Sequence, residues 1–398
     1  MKKKLISIGV VVLVLALLVT LAPSCGKKEG EVKTLKIAVL TPLSGPAAPW
    51  GLPQEQGAKW AADKINEEGG IKVGDDRYMV EIKSFDSKMT GSVAAEEATK
   101  IVYDENIHYV VGPITTYTAT QQIFEDGKCF NTPISWAKTS SPEYPHSINC
   151  VTYAPYWTLS LYGMMTSDHP EVKNEIIIDP NSEGGHVSAD ATETACLEYG
   201  IVVLDKEFYE TGTTDFYPLL TRVIAKNPDC IDLSGSSPGD QALMVKQARE
   251  LGYEGRMWAS TQCPIELLLE TAGAEAAEGY ASQEINFESP VAPEGMRDLF
   301  REYCQRYNET HMNWVVWLGY GTVMMFAQAI EEVESIDTEA VMQVLDDPDW
   351  KFEFWGFESQ LGGLETTGIR RNVANYQFYS EVIDGKLVTK DVDFVVIP

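Results

Sequence analysis

Short apolar runs recur along the chain with helical stretches between them: "KIAVLT" at 36–41, "MVEIKSF" at 79–85, "HYVVG" at 108–112, "PISWA" at 133–137 and "NCVTYA" at 149–154. Between the first of these, "PQEQGAKWAADKINEEGG" places Ala58, Ala61, Ala62 and Ile65 on one helical face and stops at Gly69-Gly70, and "GSVAAEEATKIVYDEN" behaves alike. Strand and helix in alternation predict a parallel sheet covered by helices. After residue 156 the pattern restarts, with strand-like runs at 175–180, 201–205, 230–235, 256–260 and 279–283. The expected architecture is therefore α/β with two doubly wound parallel-sheet lobes. Residues 296–307 and 314–334 read as further helices, and "NYQFYSEVIDGKLVTK" as a closing hairpin turning at Asp384-Gly385. The apolar helix "WVVWLGYGTVMMFAQAI" is too short and too interrupted by glycine for a membrane span.

The first residues stand apart. Three lysines, an apolar run from Leu5 to Leu21 and small residues ending on Cys25 read as an export signal over 1–24. The segment resembles a bacterial lipoprotein signal, which implies lipidation of Cys25 and a polar tether over 25–33. The place usually held by leucine, three before the cysteine, is Ala22 here. Beyond Lys2, Lys3 and Lys4 the chain keeps 28 basic against 59 acidic residues, a formal charge of −31. Such a field repels nucleic acid and anionic lipid. Six further cysteines show no C-x-x-C pair and no zinc spacing. An even number in an exported chain permits disulfides, with Cys129–Cys150 the favoured pair and buried thiols the alternative.

Chemistry is sparse. "LTPLSGPAAPWG" at 40–51 joins a strand to a helix, where a phosphate is often cradled on backbone N–H groups. Pro42, Pro46 and Pro49 remove three donors, and no G-x-G-x-x-G or P-loop pattern is present. "GSSPG" at 235–239 fits the nucleophile elbow G-x-S-x-G, with Ser237 as nucleophile. The following residue must donate an N–H to the oxyanion hole, and Pro238 has none, so Pro238 reads as a first-turn helix residue instead. The five histidines are scattered, and neither a metal site nor a carboxylate pair for acid–base catalysis emerges. What recurs is strand ends leading into loops rich in hydroxyls and aromatics: "LSGPAAPWG", "GPITTYT", "WAKTSSP", "YAPYWT" and "SGSSPG". In parallel α/β sheets ligands bind at the carboxyl ends of strands, and two lobes present two such edges to a cleft. The loops suit a small organic molecule.

From "LKIAVLTPLSGPAAPWG" through "GAKWAADKINEEGGI", "YVVGP", "TTDFYPLLTRVIAKNPDCIDLSG" and "QARELGY" to "WLGYGTVMMFAQAIEE", the chain resembles the leucine/isoleucine/valine-binding family of solute-binding proteins. The family serves ABC transporters, so the resemblance implies a permease and an ATPase as partners, no enzymatic reaction, and location outside the cytoplasmic membrane. It also implies three hinge crossings, near residues 155, 285 and 355. Residues 34–155 with 286–355 would then form one lobe, and 156–285 with 356–398 the other. Carried over by position, Thr116 matches a carboxylate-binding serine, Ala137 and Thr139 match a second carboxylate contact, and Trp50 matches an aromatic lining the cleft. Tyr117 and Trp157 offer further flat surface. The departures bear on specificity. Trp157 and Gln262 stand where amino-acid binders carry an aspartate and a glutamate, and Ser236 stands where they carry a tyrosine. An ammonium buried without a carboxylate is costly. The expected ligand is thus a carboxylate lacking an α-amino group, with branched-chain amino acids, amides and a sensing role as alternatives. Glu183 could restore ammonium recognition.

Overall fold

The computed structural model describes residues 30–398 except 46, 136, 137, 152 and 153. The chain begins with strand β1 (Val32–Thr41), helix α1 (Ala48–Glu67), the hairpin β2 (Ile71–Val73) and β3 (Asp76–Asp86), and α2 (Gly91–Thr99), which continues into one π turn. Strand β4 (Tyr109–Ile114), α3 (Tyr117–Asp126) and β5 (Phe130–Ile134) complete a sheet of order β2-β3-β1-β4-β5. All pairs are parallel except β2–β3. Side chains alternate across a strand. Leu35, Ile37 and Val39 therefore join the core under α1, while Ala38 and Leu40 face Ala98, Ile101, Val102 and Phe124 on the other side.

The second unit runs through α4 (Ala154–Asp168), β6 (Asn174–Pro180), α5 (Glu183–Tyr199), β7 (Val202–Tyr209), α6 (Tyr217–Ile224), β8 (Cys230–Asp232), α7 (Pro238–Glu250), β9 (Arg256–Ala259), α8 (Ile265–Ala272) and β10 (Tyr280–Ser282). The chain then returns to the first unit with α9 (Glu294–Tyr307), α10 (Trp314–Val333), α11 (Thr338–Asp346) and the short strands β11 (Phe352–Phe354), β12 (Phe357–Ser359), β13 (Leu361–Gly362) and β14 (Asn372–Val373). Phe352, Phe354, Phe357, Leu361 and Val373 belong to the same core as Ile37 and Val39. The hairpin β15 (Asn375–Ile383) and β16 (Lys386–Val395) closes the second sheet, in the order β16-β15-β10-β9-β8-β6-β7. Its turn has positive φ at both Asp384 and Gly385, as a two-residue hairpin of matching twist requires.

Helix α10 is buried almost all round, which makes it a core helix of the first unit. It crosses α1 at two glycines. A β-carbon on Gly57 would stand 2.0 Å from the Val316 carbonyl oxygen, and one on Gly319 would stand 2.0 Å from the Gln54 carbonyl oxygen. Backbone thus lies on backbone at this crossing. Among the described residues no helix is long and apolar enough to cross a membrane.

The two doubly wound, mainly parallel sheets are as expected, with β2, β15 and β16 pairing antiparallel at their edges. Several other expectations need correction. The strand expected at 133–137 lies at Phe130–Ile134. None forms over the described part of 149–154. There the Asn149 N–H donates to the Arg371 carbonyl at 2.7 Å, Val373 N–H donates to Asn149 at 2.9 Å, and Asn375 Nδ2 donates to the Cys150 carbonyl at 2.9 Å. The segment is held by a distant stretch of chain rather than by sheet neighbours. The favoured disulfide is absent too. Cys129 and Cys150 are free thiols on opposite faces of the first sheet, Cys129 beside Leu40 and Phe124, Cys150 in the core with Ile37 and Val39.

Candidate ligand-binding site

The carboxyl end of β4 is shaped by backbone conformations that ordinary residues avoid. Val111 and Gly112 both oppose Thr132, so the strand bulges. Gly112 has φ +99°, and a β-carbon there would stand 2.3 Å from the Leu40 carbonyl oxygen. Thr115 follows with φ +56°, which costs a β-branched residue about 1–3 kcal/mol. Its N–H donates to the Ile134 carbonyl at 3.0 Å, which pins the turn to β5.

This turn delivers Thr116 to the amino terminus of α3. Its hydroxyl makes no capping bond, although threonine at that position commonly does. Thr116 is 7 % exposed and Thr139 1 % exposed, and neither hydroxyl meets a hydrogen-bond partner among the described residues. Tyr117 joins the two loops, its hydroxyl donating to the Thr139 carbonyl. Burial pushes that phenol up to about 12, so it remains a donor. Native structures leave few buried polar groups unpaired, and each asks for an explanation. Two unspent hydroxyls beside a helix amino terminus suit an anionic or carbonyl head group. The neighbouring loop is held by Asp86, which accepts from Leu43 N at 2.8 Å and from Ser44 Oγ. Partial burial opposes ionisation of Asp86, but these hydrogen bonds outweigh it and hold the carboxyl below its usual range.

On the second sheet the loop after β8 is tied internally. Asp179, fully buried at the end of β6, accepts from Gly235 N at 2.6 Å. Ser236 Oγ donates to the Ile178 carbonyl at 3.2 Å, and Gln241 Nε2 donates to the Ser236 carbonyl at 2.8 Å. Ser236 thus gives its proton to the backbone. Ser237 caps α7, accepting from Asp240 N at 3.2 Å, with Pro238 as the first helical residue. That is the geometry of a helix start.

Trp50 lies within the first turn of α1, 42 % exposed and edge-on to Trp314, so it is not core. Trp157 is half-buried on α4, against the core formed by Leu161 and Trp258. Gln262 is half-buried in the loop after β9. Ala137 and Cys25 lie outside the described residues, and of Glu183 only the backbone, at the start of α5, is described. Thr116, Tyr117 and Thr139 are thus brought together. Ser236 and Gln262 sit on strand ends of the other sheet.

Sequence reasoning passed over Glu284, two residues beyond β10. The same strand-end rule, applied to "ASQEIN", would have found it. One cluster of metal-binding type, Asp168, His169 and Glu381, occurs among the described residues. Its charge is already matched: Lys390 Nζ lies 3.1 Å from Asp168, and Arg256 bonds Glu381.

Two doubly wound α/β units, with unspent hydroxyls at a strand edge, define a bilobal ligand-binding architecture. A periplasmic binding protein family model matches residues 34–359, and the chain belongs to that family. Among relatives, it is 24 % identical over 316 residues to a leucine-, isoleucine-, valine-, threonine- and alanine-binding protein of Pseudomonas aeruginosa, covering 78 % of this chain and 82 % of that one. The branched-chain amino acid substrate-binding protein LivJ of Streptococcus pneumoniae, solved with isoleucine, superposes with a TM-score of 0.74 at 20 % identity, over 91 % of this chain and all of that one. A solute-binding protein of R. palustris, solved with benzoate, superposes with a TM-score of 0.70 at 15 % identity, over 91 % and 98 %.

Proposed function

We propose that this chain is the solute-capturing component of an ABC importer, exported and lipid-anchored through Cys25, and that it catalyses no reaction. The observation that carries the reading is that the Thr116 hydroxyl, at the amino terminus of α3, and the Thr139 hydroxyl, in the loop that Tyr117 ties to it, are both buried without a partner among the described residues. They donate to the carboxylate of a small organic acid, and Trp50, Tyr117 and Trp157 supply apolar surface for its remainder. Units 34–155 and 156–285 would close on the solute by hinge motion, with ligand stabilising the closed form through contacts to both. The three chain crossings would lie near 155, 285 and 355; the pairing of β15 with β10 supports a chain that has returned to the second unit by Asn375. Trp157 and Gln262 offer no carboxylate to an α-ammonium, which supports a ligand lacking one. The relatives named for amino acids, and the one solved with benzoate, mark the two competing ligand classes.

Thermal-shift screening of the mature protein with benzoate, aliphatic acids, leucine and a neutral amide tests this. Benzoate-like or aliphatic acids should raise the melting temperature, and Thr116→Val should weaken their binding about tenfold or more, the cost of leaving a buried acceptor unpaired. Stabilisation by leucine alone would refute the ligand class. Binding unaffected by Thr116→Val would refute the site.

A further inference from the structure

Strands β9 and β10 run parallel with Ala259 opposite Ser282, so the residues just beyond them emerge side by side at one edge of the second sheet. Gln262 follows β9 there and Glu284 follows β10. The other polar groups of this edge are largely engaged within the protein. Thr261 Oγ1 donates to the Ser234 carbonyl at 2.7 Å, Tyr280 OH donates to Gln241 Oε1 at 2.6 Å, and Cys263 Sγ donates to the Pro238 carbonyl at 3.4 Å. Gln262 and Glu284, both half-buried, meet no side-chain partner among the described residues.

The backbone holds Glu284 firmly. Its carbonyl accepts from Ser380 Oγ of β15, and Asn286 N–H donates to Thr389 Oγ1 of β16 at 2.8 Å. Around its carboxyl stand the Cys263 thiol, the Tyr280 hydroxyl and, on α8, the Glu266 carboxylate, none of them a cation. A carboxyl so placed, open enough to reach solvent and without a counter-charge, is uncompensated unless a ligand completes it. Burial, then Glu266, pushes it up to about 8, so it carries its proton at neutral pH until a donor arrives.

We propose that Glu284 is the recognition residue of the second unit, accepting a hydrogen bond from a hydroxyl or protonated amine that the solute carries away from its carboxylate. The assignment rests on the solute-capture reading above and sharpens it: the solute has a carboxylate head for Thr116 and Thr139 and a donor group for Glu284. An amine arriving at Glu284 displaces the carboxyl proton to solvent, whereas a hydroxyl leaves it in place.

Calorimetric titration of the mature protein with benzoate, 4-hydroxybenzoate, 4-(aminomethyl)benzoate and leucine tests the assignment. At least one donor-bearing acid should bind about tenfold tighter than benzoate, the effect of one added hydrogen bond. Glu284→Leu should erase that preference while leaving benzoate within about twofold, below the effect of one lost hydrogen bond. The near-isosteric Glu284→Gln should keep the preference for the hydroxyl acid. Proton release at pH 7, read as a buffer-dependent heat, distinguishes the amine from the hydroxyl and should vanish in Glu284→Gln. An unchanged preference in Glu284→Leu would overturn the assignment. If only leucine binds, the reading of a ligand without an α-amino group fails. Leucine carries no donor away from its carboxylate, so the assignment of Glu284 fails with that reading. Binding of none of the four overturns both.

Discussion

Gly57→Val is expected to destabilise the protein by more than about 4 kcal/mol, enough to remove much of the stability an average domain possesses. The first atom of the new side chain would lie 2.0 Å from the Val316 carbonyl oxygen and 3.0 Å from the Tyr320 nitrogen. Both belong to the backbone of a helix buried on nearly every side, so no rotamer change relieves the clash. Helix α10 would have to move off α1, opening the core around Trp60, Trp317 and Tyr320. Gly319→Val should cost a similar amount. The double variant should cost less than the sum, because both substitutions disrupt one crossing. Gly239→Ala, a helical position with open space around the new carbon, is the control and should be neutral or stabilising by up to about 1 kcal/mol. Urea unfolding of the four variants and the parent decides the matter. A midpoint for Gly57→Val close to that of the parent would show that α1 and α10 do not meet at this glycine.

Glu175→Gln is expected to stabilise the protein at pH 8 and to do little at pH 4.5. Glu175 and Asp232 are fully buried in the second unit, and one phenol serves both. Tyr162 OH lies 2.9 Å from Glu175 Oε1 and 2.9 Å from Asp232 Oδ2. That hydroxyl has a single proton, so the second contact is satisfied only if a carboxyl carries a proton of its own. Burial, followed by the charge of Asp232, pushes Glu175 up to about 8. Asp232 is raised less, since Ser234 and Thr192 also donate to it.

In the unfolded chain a glutamate ionises near pH 4.3, whereas folded Glu175 holds its proton to about 8. Across that window the native state binds more protons than the unfolded state, so stability falls as pH rises. The slope is at most about 1.4 kcal/mol per pH unit for one group. Glutamine keeps an acceptor for Tyr162 and Cys196 and cannot ionise, so it removes this slope. The variant should exceed the parent by several kcal/mol at pH 8, on the order of 3. Asp179 is raised in the same direction by burial and then by Asp232, so some pH dependence persists. Melting temperatures from pH 4.5 to 8.5 provide the test. Parallel curves for parent and variant would mean that Glu175 is ionised in the native protein.

What the sequence determined by itself was local. The apolar spacing of α1 and its Gly69-Gly70 stop, the turn at Asp384-Gly385 and the start of α7 at Pro238 follow from period, caps and φ preferences within a few residues of chain. The absence of an N–H on Pro238 was enough to discount the Ser237 elbow, and strand ends marked the loops "GPITTYT" and "WAKTSSP", within which the family resemblance pointed to Thr116 and Thr139. The tertiary structure decided everything that depends on a partner far along the chain. Asn149 and Cys150 read as the start of a strand, yet their hydrogen bonds run to residues 371–375, which no local pattern announces. Cys129 and Cys150 lie 21 positions apart, on opposite sides of a sheet whose faces only strand pairing assigns. Glu284 is one of 59 acidic residues, and composition cannot tell a solvated carboxylate from a half-buried one with no cation beside it. That difference is a matter of dielectric and neighbours, set when β9 and β10 align their ends, and so it exists only in the folded chain.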